Sequence, residues 1–207
     1  MRKLLLVILL ALPAGAVTVD RIAAVIDQQV VTVSEIAQMV ELRFFPRLAP
    51  NEDDHRREVL DALIAQALRY RDVERFGPQE ITPDTIEARL VEIRKRFASE
   101  TEFNAALART ELTLDEVRAL VKRQLQVEAY IQERFAPLVF VTNDDIADYY
   151  ATTWTRGRRE RGLSVPPLND VREEVRTAVR LSRLQTEVQK WTAQLRARAN
   201  VDVYAWR

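Results

Sequence analysis

The sequence predicts a mainly α fold, with about six helices around a small β-sheet formed by strands from the two ends of the chain. Three observations lead there. Apolar residues recur at helical spacing through most of the 207 residues, and Thr, Ser or Asn repeatedly stands just before a run. Glycine, the commonest breaker of such runs, occurs only four times. The β-like runs able to pair with each other lie far apart, in residues 19–32 and 201–206.

Residues 1–16 hold Arg2 and Lys3, an apolar run from Leu4 to Leu12, Pro13 and Ala14-Gly15-Ala16. This is the pattern of a cleavable secretory signal peptide, with the mature chain expected to start at Val17. The run is too short to span a hydrocarbon core of about 30 Å as a helix, and Pro13 interrupts it. In the first strand, Ile22, Ala24 and Ile26 share one face and Ala23 and Val25 the other. Both faces are apolar, so both are expected to be covered. Asp27, Gln28 and Gln29 break the run, and Val30, Val31 and Thr32 return it. Thr32 and Glu35 are spaced as a capping box, with Val31 and Ile36 as its hydrophobic staple. A lone hairpin is barely stable in water, so residues 201–204 are the expected third strand.

A first helix is predicted from Val33 to Phe45, with Ile36, Met39, Val40 and Phe44 on one face. Pro46 and Pro50 end it. Asn51 and the acidic residues after it open a second helix, which runs to Phe76 and stops at Gly77. Thr82-Pro83 opens a third. The spacings Ser99 to Glu102 and Thr113 to Glu116 predict two more capping boxes, each starting a helix. Pro137 breaks the longer of these, residues 138–141 read as extended, and Thr142 caps a helix holding Ile146, Tyr149 and Tyr150. Residues 155–167 carry Arg156, Arg158, Arg159 and Arg161 with two glycines and two prolines, and they read as a solvated loop. Asn169 is expected to cap a last long helix reaching about Ala199, with Val175, Val179, Leu184, Trp191 and Leu195 on its apolar stripe.

Composition excludes several chemistries. Basic and acidic residues number 31 each, so no overall field favours nucleic acid. There is no cysteine, hence no disulfide, thiol catalysis or thiolate metal site. His55 is the only histidine and reads as part of a solvated helix start; no second imidazole exists to complete a zinc site. Asp144 and Asp145 fit a helix cap better than an acid–base pair. No glycine-rich phosphate loop and no Ser-His-acid set can be assembled. No metal, cofactor or catalytic residue is expected.

Asp20, Arg21 and Ile22, followed by Thr32, Ser34 and Glu35, resemble the start of the SurA family of periplasmic chaperones. Members open with an Asp-Arg-Ile strand and a Thr-x-Ser-Glu helix start, and the helix order downstream is similar too. A departure is that Thr110 and Glu111 stand where such chains usually carry a Gly. The resemblance implies a domain plan: signal peptide 1–16, N-terminal chaperone region 17–154, a linker 155–167 in place of a parvulin prolyl isomerase domain, and a returning helix and strand 168–207. It also implies ATP-independent binding of unfolded polypeptides in the periplasm, with outer-membrane or secreted precursors as partners and no isomerase activity. The alternative is an adaptor for one folded partner; residual isomerase activity is a further one. Stable membrane insertion is not expected after signal cleavage. Flat aromatic and adaptable Met side chains suit a groove that accepts many peptides. The groove candidates are Met39, Phe44, Phe45, Tyr149 and Trp154.

Overall fold

The computed structural model describes residues 20–204. The signal-peptide reading falls outside that range. Three strands form one antiparallel sheet: β1 (Ile22–Ile26), β2 (Gln29–Thr32) and β3 (Val201–Val203), in the order β2-β1-β3. The two ends of the described chain therefore meet, as the sequence predicts. The register of β1 on β2 slips between Ile22 and Ala24. This bulge lets two consecutive residues, Ala23 and Ala24, both turn inward and be fully buried. Ile22, expected to be covered, lies beyond the bulge and stays about half exposed.

Asp27 closes the tight turn with a left-handed backbone, φ 54°. Its N–H donates to the Asn200 carbonyl, and its carboxylate accepts the Asn200 N–H, both at 2.8 Å. Arg71 pairs with the same carboxylate. One side chain thus ties the first turn to the entry of β3.

The helices follow in order: α1 (Val33–Glu41), α2 (Glu52–Phe76), α3 (Pro83–Arg94), α4 (Glu100–Thr110), α5 (Leu114–Arg134), α6 (Asn143–Tyr149), α7 (Thr155–Glu160) and α8 (Leu168–Arg198). Most starts obey the caps read from sequence. Thr32, Asn51, Thr82, Ser99, Thr113 and Thr142 each accept the N–H of the third helical residue. The box is reciprocal at Thr113–Glu116 and at Thr142–Asp145. At Ser99 the Glu102 carboxylate reaches one residue further back, to the Ala98 N–H at 2.6 Å.

Four expectations are corrected. Helix α1 ends at Glu41, because Arg43 takes a left-handed φ of 49° and turns the chain before Phe44. Residues 155–160, read as loop, are helical and continue α6 through a π turn, Tyr150–Trp154. That stretch has no proline until Pro166, so the helix can extend past Gly157. Helix α8 starts directly after Pro167 with no side-chain cap, so Asn169 lies inside it. His55 is 4% exposed, not solvated.

Three apolar clusters result. The largest joins the sheet to α1–α5, with Phe103, Ile36, Met39, Ile64 and Leu90 fully enclosed. A second forms a waist, where Trp191 of α8 meets Val73 of α2 and Val127 and Tyr130 of α5. Trp191 Nε1 donates to Asp72 at 3.1 Å, so its polar edge is satisfied there. The third is a small head in which Ile146 of α6 packs on Val175 and Val179 of α8. Helix α8, about 46 Å long at the usual rise, runs from the head to the sheet.

Candidate functional site

The motif residues at the chain start come together as a brace. Ser34 donates both its N–H, at 3.3 Å, and its hydroxyl to the Asp20 carboxylate. Val33 N–H donates to the Arg21 carbonyl at 2.8 Å. Hydrogen bonds from the Ser34 hydroxyl first and the Thr32 side chain next hold the Asp20 carboxyl below its usual range. The Asp-Arg-Ile and Thr-x-Ser-Glu segments therefore fix the angle between strand and helix.

The five groove candidates fall in separate places. Met39 and Phe44 are each 2% exposed and belong to the main core, yet both line the floor of a cleft of about 300 Å³ between β2, α1, α2 and α5. Its rim carries Glu35, Glu74, Arg123 and Tyr70. Burial pushes the Glu35 carboxyl up and outweighs its contact with the Thr32 backbone. Phe45 leaves the core on the other side. It meets Phe44 edge-on, with ring centres 5.3 Å apart, and lines a different cavity. Both rings lie beyond the turn at Arg43 and outside α1, so no helical offset sets their directions. Tyr149 and Trp154 are half-buried in the head. Trp154 stacks on Tyr150 at 5.5 Å and is covered by Arg158 at 4.8 Å. The Tyr150 hydroxyl donates to the Pro166 carbonyl at 2.6 Å and fastens the connector to α8.

Two exposed side chains went unranked in the sequence reading. Leu138 is 66% exposed and Phe140 is 76% exposed, on the connector between α5 and α6. Leu138, expected to be extended, closes a 3-10 turn, Ala136–Leu138, and the chain runs extended only after it. They edge a cavity of about 510 Å³ whose other wall is Arg183, Thr186, Glu187 and Lys190 of α8. Arg183 donates to the Phe140 carbonyl and pairs with Asp145. The backbone is thereby clamped to α8 while the Phe140 ring points outward. A hint was present in the sequence: apolar residues after Pro137 with no periodic partner to bury them. At the waist, Phe76 is 61% exposed and stacks on Tyr130 at 6.0 Å. Contiguous exposed apolar patches mark interaction surfaces, whereas apolar side chains exposed singly are ordinary.

Among the described residues no group of His, Cys, Asp and Glu is placed to hold a metal ion, and no helix is long and apolar enough to cross a membrane.

No family model matches the chain. It is 30% identical to Chaperone SurA of Pseudomonas putida over 149 residues, which is 69% of this chain and 34% of that protein. It is 28% identical to Chaperone SurA of Alkalilimnicola ehrlichii over 148 residues, 68% of this chain and 34% of that one. For Chaperone SurA of Saccharophagus degradans the identity is 24% over 143 residues, 66% and 33% of the two chains. The chain spans about a third of the length of the curated relatives it matches. Similarity of this extent to several SurA proteins makes the chain SurA-like over the part matched.

Proposed function

We propose that this protein is an ATP-independent chaperone that binds unfolded polypeptides in the periplasm, outer-membrane protein precursors among them. The similarity to proteins named Chaperone SurA carries the reading. The outward Leu138 and Phe140 supply a surface for it. Strands of outer-membrane barrels alternate apolar and polar residues. Such a segment can lay its apolar side chains on Leu138 and Phe140 and its polar ones toward Arg183, Glu187 and Lys190. Burial on the surface lowers the free concentration of aggregation-prone segments with no covalent step. Release needs only dissociation. The same reading assigns no prolyl isomerase activity. Between Trp154 and Leu168 runs a short helix and a turn, where an inserted catalytic domain would need upwards of about 50 residues.

The test is suppression of aggregation of an unfolded outer-membrane protein by the protein and by its Leu138→Asp, Phe140→Asp double variant. Both side chains lie mostly in water, so the melting temperature should stay within about a degree or two, while protection should fall severalfold. Equal protection by the variant moves the surface elsewhere, with the Met39 and Phe44 cleft next in line. Failure of the unmodified protein to protect any client, with capture of one folded partner instead, replaces the chaperone reading by an adaptor.

A further inference from the structure

The cavity beside Phe45 carries an inference beyond the chaperone reading and independent of it. Its charged lining is cationic only: Arg43, Arg47 and Arg96, joined by the His55 imidazole. Phe45, Val40 and Pro46 supply apolar walls. The volume, about 490 Å³, lies within the range of small-molecule sites.

Three features of this cluster are hard to explain by folding alone. Arg43 and Arg96 are neighbours, each donating to the other's backbone carbonyl. Arg96 also donates to the Phe44 carbonyl at 2.8 Å, and among the described residues no carboxylate lies within ion-pair reach of it. Arg43 pairs with Glu102 at 2.7 Å, so Arg96 and the loosely held Arg47 are the cations of the cavity without a close carboxylate. Like charges gathered at one cavity repel unless anions balance them. Arg47 is half exposed and holds the Ala49 and Pro50 carbonyls at 3.2 and 3.3 Å, with Glu52 only at 3.7 Å. Finally, His55 is buried and neither ring nitrogen makes a hydrogen bond among the described residues; its nearest acidic oxygen, on Glu58, is 3.7 Å away. Its Nδ1 is buried without a hydrogen bond, a costly arrangement for a polar atom in a wall of the cavity.

We propose that this cavity is a binding site for a carboxylate carried on an apolar body. The planar guanidinium forks match the two oxygens of a carboxylate. The Phe45 face and the Val40 and Pro46 walls take the apolar part. Two sources share that chemistry: a free small acid, or the carboxyl end of a polypeptide whose last residue is apolar.

His55, as the only histidine, gives unique ring signals in proton NMR. Titration with N-acetyl-L-phenylalanine should shift them saturably. The uncharged N-acetyl-L-phenylalaninamide should bind about tenfold more weakly, since it forfeits the charge-assisted bonds. Arg47→Gln should weaken the acid by a similar factor while the melting curve stays in place. Arg96→Lys, which keeps the charge and loses the fork, should weaken it as well. A pentapeptide ending in Phe with a free carboxyl distinguishes the sources: tighter binding than the free acid assigns the site to chain ends, weaker binding to small acids. The proposal is overturned if the acid gives no saturable shift, if the amide binds equally well, or if both variants bind like the original protein.

Discussion

The main core and the head are built from the same kinds of helix, yet they are held together differently. In the core, five helices and a sheet enclose side chains as large as Phe103 and Met39 with almost no exposure. In the head, α6 packs on one side of α8, and the buried apolar cluster is three residues, Ile146, Val175 and Val179. Half-buried Tyr149, Tyr150, Trp154 and Val171 pack around them, and polar fastenings are added: the Tyr150 hydroxyl on Pro166, Arg183 across Phe140 and Asp145, and the Thr142 box. The π turn at Tyr150–Trp154 sits in this sparsely packed part. Local free energies of opening follow buried apolar contact. The head is therefore expected to open before the core, and Leu138 and Phe140 lie on the connector between the two. The surface proposed for unfolded clients lies at this boundary.

The largest expected effect is at Phe103. Phe103→Ala empties a site with no exposure and should cost about 3–5 kcal/mol, a large part of the about 5–15 kcal/mol of a typical domain. Thermal unfolding should show one lowered transition for the whole molecule. Ile146→Ala sharpens the contrast. It removes the center of the head cluster, and hydrogen exchange should quicken in α6 and the start of α8 with α1–α5 left nearly as protected as before. A uniform loss of protection would mean that core and head unfold as one unit.

The smallest effect is in the caps, one from each region. Hydrogen bonds from the Thr113 backbone and hydroxyl hold the Glu116 carboxyl below its ordinary 4.5, and those from Thr142 hold Asp145 below 3.8. A carboxylate favoured in the folded state contributes stability above its unfolded value and loses it as pH falls through the folded one. Acid should therefore erode the α5 cap below 4.5 and the α6 cap below 3.8. In melts across that window, Glu116→Gln should flatten the acid limb of the core, and Asp145→Asn should flatten only the exchange behaviour of the head.

The pairing of β1 with β3 was legible because the hairpin of β1 and β2 needs a third strand and residues 201–204 are the remaining β-like run, and the helix starts because a cap is a local device of four residues. What escaped is set by tertiary surroundings. The left-handed Arg43 is not a glycine, so nothing in the composition marks the end of α1 before Phe44. The run of arginines in α7 has good helix propensity, but its glycine and the downstream prolines masked it. His55 looks solvated beside Asp53 and Asp54, yet the helical turn sends it inward while they face out. The candidate groove was least legible of all. An aromatic side chain reads alike in core and on surface, and only the clamp by Arg183 decides that Phe140 faces water.

The central place of β1 has a consequence in time. Its register partners on β3 lie about 180 residues later, Ala24 opposite Val203. A chain delivered from its N-terminus forms the β1–β2 hairpin early, and Ala23 then waits with an open carbonyl until the Tyr204 N–H arrives to cap it at 2.9 Å. Contacts this distant in sequence are the slowest to form. Through that interval one edge of β1 offers its ladder to any extended segment nearby. The molecule thus passes through the same exposed-edge condition as the unfolded strands it is proposed to shelter, and it leaves that condition only when its own last strand arrives.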